Sequence, residues 1–131
     1  MTRHVVLGLL VTVGVLATAA HAGLTGSYPV TINPGQAMGG IATARSAQSS
    51  NTHIGCSTTV TVNGGPASYY GYCQARDNSG VNAMCVTHEP ELVLMMARAQ
   101  TDARIHFSWD SRGNCTSIGL DQSSTQAPKA P

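Results

Sequence analysis

The chain has 131 residues, 42% of them hydrophobic and only 10% charged, with seven basic and six acidic side chains for a net charge of +1. That length suits one small domain at most. So balanced a charge leaves no basic stripe for nucleic acid and no polybasic patch for an anionic bilayer, which excludes both as principal partners.

Arg3 and His4 precede an apolar run from Val5 to Leu16, and small residues follow from Ala17 to Ala22. This is the layout of a secretory signal peptide over residues 1–22, with Ala20 and Ala22 in the small-x-small pattern and cleavage expected before Gly23. The run falls well short of the roughly 20 residues of a spanning helix. No cysteine stands at the cleavage point to carry a lipid. The expectation is a secreted or periplasmic protein with no membrane insertion after cleavage. Cys56, Cys73, Cys85 and Cys115 agree with that destination. They are even in number and lack the spacing of a zinc site, so two disulfides are expected.

Residues 23–37 are rich in Gly, Pro, Ser and Thr and read as a flexible arm, with one extended piece at Val30-Thr31-Ile32. The folded domain is expected over residues 38–121. Met38 to Ala47 reads as a first strand around Ile41. Thr52 to Val62 is a better one, because Thr58, Thr59, Val60, Thr61 and Val62 are mostly β-branched and suit a pleated surface. Asn63-Gly64-Gly65-Pro66 ends it in a hairpin turn, and the next strand carries Tyr69, Tyr70 and Tyr72. Asp77-Asn78-Ser79-Gly80 closes a second hairpin, whose three-residue loop pairs Asp77 with Val81.

The two hairpins compete for one cysteine. The second sets Cys73 opposite Cys85, whereas a two-residue turn at Gly64-Gly65 sets Cys56 opposite Cys73. Cys73–Cys85 with Cys56–Cys115 is slightly favoured, and Cys56–Cys73 with Cys85–Cys115 stays open beside it.

One helix is expected after Thr87, its N-cap, with Pro90, Glu89 and Glu91 in the first turn and Arg98 near the end. Leu92, Val93, Met95, Met96 and Ala99 make its apolar face. Arg104 to Asp110 then alternates, with Ile105, Phe107 and Trp109 on one side and Arg104, His106 and Ser108 on the other, as a half-buried strand does. A two-residue loop at Arg112-Gly113 places Phe107 opposite Ile118 and Ile105 opposite Leu120, keeping one apolar face; a three-residue loop would turn that face outward. Residues 122–131 read as a disordered tail. The fold class is mainly β (α+β), a small antiparallel sheet or OB-like barrel of about five to six strands with one helix before the last hairpin.

The strings around His53-Ile54-Gly55-Cys56, Tyr72-Cys73 to Gly80, Ile105 to Cys115 and Pro128-Lys129 resemble a group of small exported bacterial proteins with four cysteines, over roughly Thr52 to Lys129. The likeness brings no activity with it. A more remote one is to the B subunits of subtilase-cytotoxin and typhoid-toxin type. It rests on Tyr72-Cys73, Cys85, the Leu92–Ala99 helix, Arg104-Ile105-His106 and Pro128-Lys129. That resemblance implies an OB-like barrel, a fold that often binds oligosaccharides. The segment after the arginine-led strand is shorter here, and no paired cysteines stand near the end.

No catalytic arrangement stands out. No serine sits in a Gly-x-Ser-x-Gly elbow. His53, His88 and His106, with Glu89 or Asp110, have no ligand spacing, and Glu89 and Glu91 diverge at a helix start. No cofactor, metal or catalytic residue is assigned. Aromatic faces stack on sugars or anchor protein contacts, so Tyr69 and Tyr70, with His106 on a polar strand face, are the ligand-binding candidates. Tyr72 and Trp109 are expected in the core. The functional expectation is an exported, non-catalytic module binding an unknown glycan or protein. The alternatives are a small secreted hydrolase or metal-dependent enzyme, and a purely structural envelope protein.

Overall fold

The computed structural model describes residues 26–49 and 51–123. Within them seven strands and two short helices alternate along the chain. Strands β1 (Thr31–Asn33) and β2 (Gln36–Gly40) form a first hairpin, and helix α1 (Ile41–Arg45) follows directly. Strands β3 (His53–Thr61), β4 (Ser68–Arg76) and β5 (Asn82–Thr87) form a meander. Helix α2 (Pro90–Met96) leads to the last hairpin, β6 (Arg104–Trp109) and β7 (Cys115–Asp121). The strands make two antiparallel sheets, one ordered β1-β2-β6-β7 and one ordered β3-β4-β5. The mainly-β class and the helix before the last hairpin are as expected. The sheets do not close into a barrel, the strands number seven rather than five or six, and α1 is a second helix.

Residues 31–37, within the segment expected to be a flexible arm, belong to the β1–β2 hairpin of the four-stranded sheet. β1 and β2 pair, and β2 pairs along β6 from Gln36↔Ser108 to Gly40↔Arg104. Ahead of them, Gly40 N–H donates to the Tyr28 carbonyl at 2.8 Å and Tyr28 N–H to Thr43 Oγ1 at 3.1 Å. The Arg104 guanidinium lies 4.7 Å from the centre of the Tyr28 ring, and Val30 is buried. A composition of Gly, Pro and Thr suits disorder only when nothing covers it, and here β6 supplies the missing pairing. The first-strand assignment at Met38–Ala47 likewise ends early, because the chain turns into α1 after Gly40.

The disulfides are Cys56–Cys73 and Cys85–Cys115, which overturns the favoured pairing. Both hairpin registers are correct, since Cys73 on the central strand faces Cys56 on one side and Cys85 on the other. What decides is the neighbour of β5. Val86 N–H donates to the Gly113 carbonyl at 3.0 Å and Val86 bridges Asn114, which brings the start of β7 beside Cys85. Cys56 is three strand steps from Cys115, roughly 14 Å at the usual inter-strand spacing. A disulfide spans at most about 7 Å between Cα atoms.

The last hairpin reaches its expected register by a different route. Phe107 does face Ile118 and Ile105 does face Leu120. However, Asp110 N–H donates to the Asn114 carbonyl, so the loop has three residues and closes on Gly113 at a φ of 82°. A register shift at Ser108/Trp109 then compensates, pairing Ser108 with Ser117 and Trp109 with Cys115 and leaving Thr116 over. This β-bulge turns Cys115, Ile118 and Leu120 to the same side although their spacing would divide them. The core between the sheets contains Ile54, Cys73, Ala75, Cys85, Met96, Ile105 and Phe107, with Trp109, Ile118 and Leu120 partly buried against it.

Helix α2 is shorter than its periodicity. Its N-cap is Glu89, whose N–H donates to Thr87 Oγ1 at 3.1 Å, so Thr87 holds the turn before the helix rather than capping it. Val93 and Met96 are buried, while Met95 is exposed. The helix lies close over β4 at Gly71, where a Cβ would come 2.6 Å from Met96 Sδ and 3.2 Å from Val93 Cγ2. A side chain at this position would have to displace Met96 and press on Val93.

Candidate functional site

The three-stranded sheet has one face turned to the core and one to solvent. Cys73 and Cys85 point inward and are buried, so their neighbours in sequence, Tyr72, Met84 and Val86, point outward. Tyr70 shares that outer face and is 40% exposed. Beside it, β3 contributes Ser57 opposite Tyr72 and Thr59 opposite Tyr70, and β5 contributes Val86 opposite Tyr72. His88 continues the face just beyond β5.

Three rings meet there. The Tyr70 and Tyr72 centroids are 6.3 Å apart at 47°, and those of Tyr70 and His88 are 5.5 Å apart at 51°. Such tilted contacts are the favourable geometry for aromatic pairs. His88 Nδ1 lies 2.9 Å from the Tyr69 carbonyl oxygen. A carbonyl only accepts, so Nδ1 is the donor in this contact and Nε2 is the nitrogen left for a ligand. The result is a shelf of two phenols and an imidazole, continued by exposed Met84 and flanked by the hydroxyls of Ser57 and Thr59. It offers ring faces for stacking together with donors and acceptors at the edge.

The candidates from the sequence divide over this geometry. Tyr70 stands at the centre of the shelf. Tyr69 points to the opposite face, and only its carbonyl contributes, by holding His88. Tyr72, expected in the core, is on the shelf, because a residue adjacent to inward-facing Cys73 must face outward. His88 was read only as a scattered histidine. Its signal was its position opposite Tyr70 once the Cys73↔Cys85 register is counted on by three residues.

His106 lies elsewhere, on the outer face of the four-stranded sheet. It lines a shallow groove of about 350 Å3 with Met38, Arg104, Gly119, Leu120 and Asp121. Its Nε2 is 3.4 Å from Ser108 Oγ, and a Cβ on its cross-strand partner Gly119 would sit 3.4 Å from Nδ1. Arg104, between the Tyr28 ring and Met38 Sδ at 3.6 Å, is committed to packing the N-terminal segment.

The histidines do not converge. His53 Nδ1 is 3.0 Å from the Asn51 carbonyl at the start of β3, His88 is on the shelf, and His106 is on the other sheet. Among the described residues no three His, Cys, Asp or Glu side chains gather as a metal would require. Asp110 is engaged locally. The Asn114 side chain first, then the backbone N–H groups of Asn114 and Arg112, hold its carboxyl below the ordinary value of 3.8.

Comparison with protein-family models, with curated proteins and with solved structures found no match. Two disulfides fit an oxidising environment. No helix among the described residues is long and apolar enough to cross a membrane. The expected signal peptide over residues 1–22 and most of the expected tail lie outside the described residues.

Proposed function

We propose that this protein is an exported, non-catalytic binding module that holds a glycan or a protein segment against the outer face of the three-stranded sheet. One observation carries the reading. Tyr70, Tyr72 and His88 are gathered into a solvent-facing shelf although the core lies on the other side of the sheet. Aromatic side chains grouped outside a core are what stacking recognition uses, with hydroxyls at the rim to select orientation. Export to the periplasm or beyond rests on the leader-like residues 1–22 and on the two disulfides.

The test is an array of glycans and peptides probed with the disulfide-intact protein and with Tyr70→Ala. Tyr70 is 40% exposed and its ring contacts with Tyr72 and His88 are worth about 0.5–1.5 kcal/mol each, so folding of the variant is checked by circular dichroism. The expected result is a defined set of positives lost in the variant. Positives that Tyr70→Ala and His88→Ala both retain would overturn the assignment.

A further inference from the structure

The long edge of the three-stranded sheet carries a second surface. β3 is an edge strand, paired only with β4. Its backbone alternation follows from the far side of the sheet. Val86 N–H turns away from β4 to Gly113, so Cys85 faces β4, Cys73 faces β5, and Cys56, opposite Cys73, turns its own N–H and C=O away from β4. Thr58 and Val60 repeat that orientation, presenting an open row of donors and acceptors. Natural edges are usually guarded by lysine, proline or a bulge. This one has no guard, and no charged residue occurs from Ile54 to Ala75.

Two features flank the row. Val60 and Val62, at the end nearest the loop, are 49% and 67% exposed. At the other end a groove of about 470 Å3 runs beside the strand, its apolar wall made by Ile41, Ile54, Met96 and Ala99 and its polar wall by Arg45 and Gln100. An antiparallel two-fold centred on Thr58 joins them. It pairs Thr58 with its own copy, Val60 with Cys56, and Val62 with Ile54. Each copy's exposed valines then sit over the other's groove, and the same patch serves both sides, as a closed two-fold requires.

We propose that β3 pairs with β3 of a second copy of this chain, joining two three-stranded sheets into one of six strands. The self-complementary register favours this occupant, since one strand supplies both the exposed valines and the row that receives them. β3 itself carries no charge, and Arg45 at the groove wall is turned to the Thr101 carbonyl at 3.3 Å. An interface this small belongs to the weakly associating class, below roughly 1,200 Å2.

Sedimentation from micromolar to millimolar protein tests it, with amide hydrogen exchange at both ends of the range. The expected result is a reversible monomer–dimer equilibrium. Thr58 and Val60 amides gain protection with concentration, while Ser57 and Thr59, bonded into β4, are protected throughout. Val60→Lys, checked for folding by circular dichroism, should weaken the dimer about tenfold or more. A monomer at every concentration overturns the proposal. So does a dimer that Val60→Lys leaves intact with Thr58 and Val60 exchange unchanged, or a monomer whose edge is protected only by an added extended peptide.

Discussion

Gly71 shows how one residue sets the distance between two layers. With a Cβ only 2.6 Å from Met96 Sδ and 3.2 Å from Val93 Cγ2, valine at this position has no room unless the buried Met96 side chain is displaced and Val93 gives way. Gly71→Val should therefore cost about 1–3 kcal/mol in chemical denaturation, the usual range for overpacking. Asp110 acts differently, through charge. Its carboxylate accepts from the Asn114 side chain and from the Asn114 and Arg112 backbones, at 2.9, 2.9 and 2.8 Å. These bonds favour the ionised form and depress its pKa. The sign follows directly, because a depressed folded-state pKa adds stability above the ordinary value of 3.8 that is lost as pH falls through the lowered one. Wild type should thus have a higher thermal midpoint than Asp110→Ala near neutral pH, with the gap closing in acid. An equal gap at both ends of the titration would show that the contacts do not depend on the charge.

Elements were legible where a pattern was local. The β-branched run of β3, the alternation of β6 and the loop from Asp77 to Gly80 all stand as the sequence suggested, and Gly80 has the positive φ of 87° that its loop needs. What escaped was non-local. β1 was foreshadowed only by the extended piece at Val30-Thr31-Ile32, and it takes the pairing of β2 with β6, with β1 on the outside of β2, to hold the segment in the sheet. The bulge at Thr116 cannot be counted from either strand alone. It exists because a three-residue loop and an inward Cys115 must both be reconciled with inward Ile118 and Leu120. Deleting Thr116 should leave Trp109 opposite Cys115 and the Cys85–Cys115 bond intact, because Cys115, Ile118 and Leu120 then share a face by simple alternation. Thiol titration should find no free thiol, and two would contradict this reading of the bulge. The cross-sheet bond should also matter energetically. Its 30-residue separation exceeds the 17 of Cys56–Cys73, and it ties two sheets rather than adjacent strands. Replacing Cys85 and Cys115 by serine should cost about 2–4 kcal/mol, more than the same change at Cys56 and Cys73.

At the scale of the whole molecule, two sheets enclose a small core, with Cys85–Cys115 fastening β5 to β7 where no sheet pairing continues. That arrangement gives each sheet an outer face, and the binding candidates fall on different ones. The sequence put Tyr69, Tyr70 and His106 together only as residue types. The inward direction of Cys73 was enough to separate Tyr70 and Tyr72 from Tyr69, and its pairing with Cys85 was enough to add His88. Placing His106 on the second sheet required the β2–β6 pairing, which no local pattern announces. The shelf is therefore the central claim, and amide chemical-shift mapping with a ligand from the array tests it most directly. Shifts are expected to centre on Ser57, Thr59, Tyr70, Tyr72, Val86 and His88. Shifts centred instead on Met38, Arg104, His106 and Gly119 would contradict it and move the site to the groove on the other sheet.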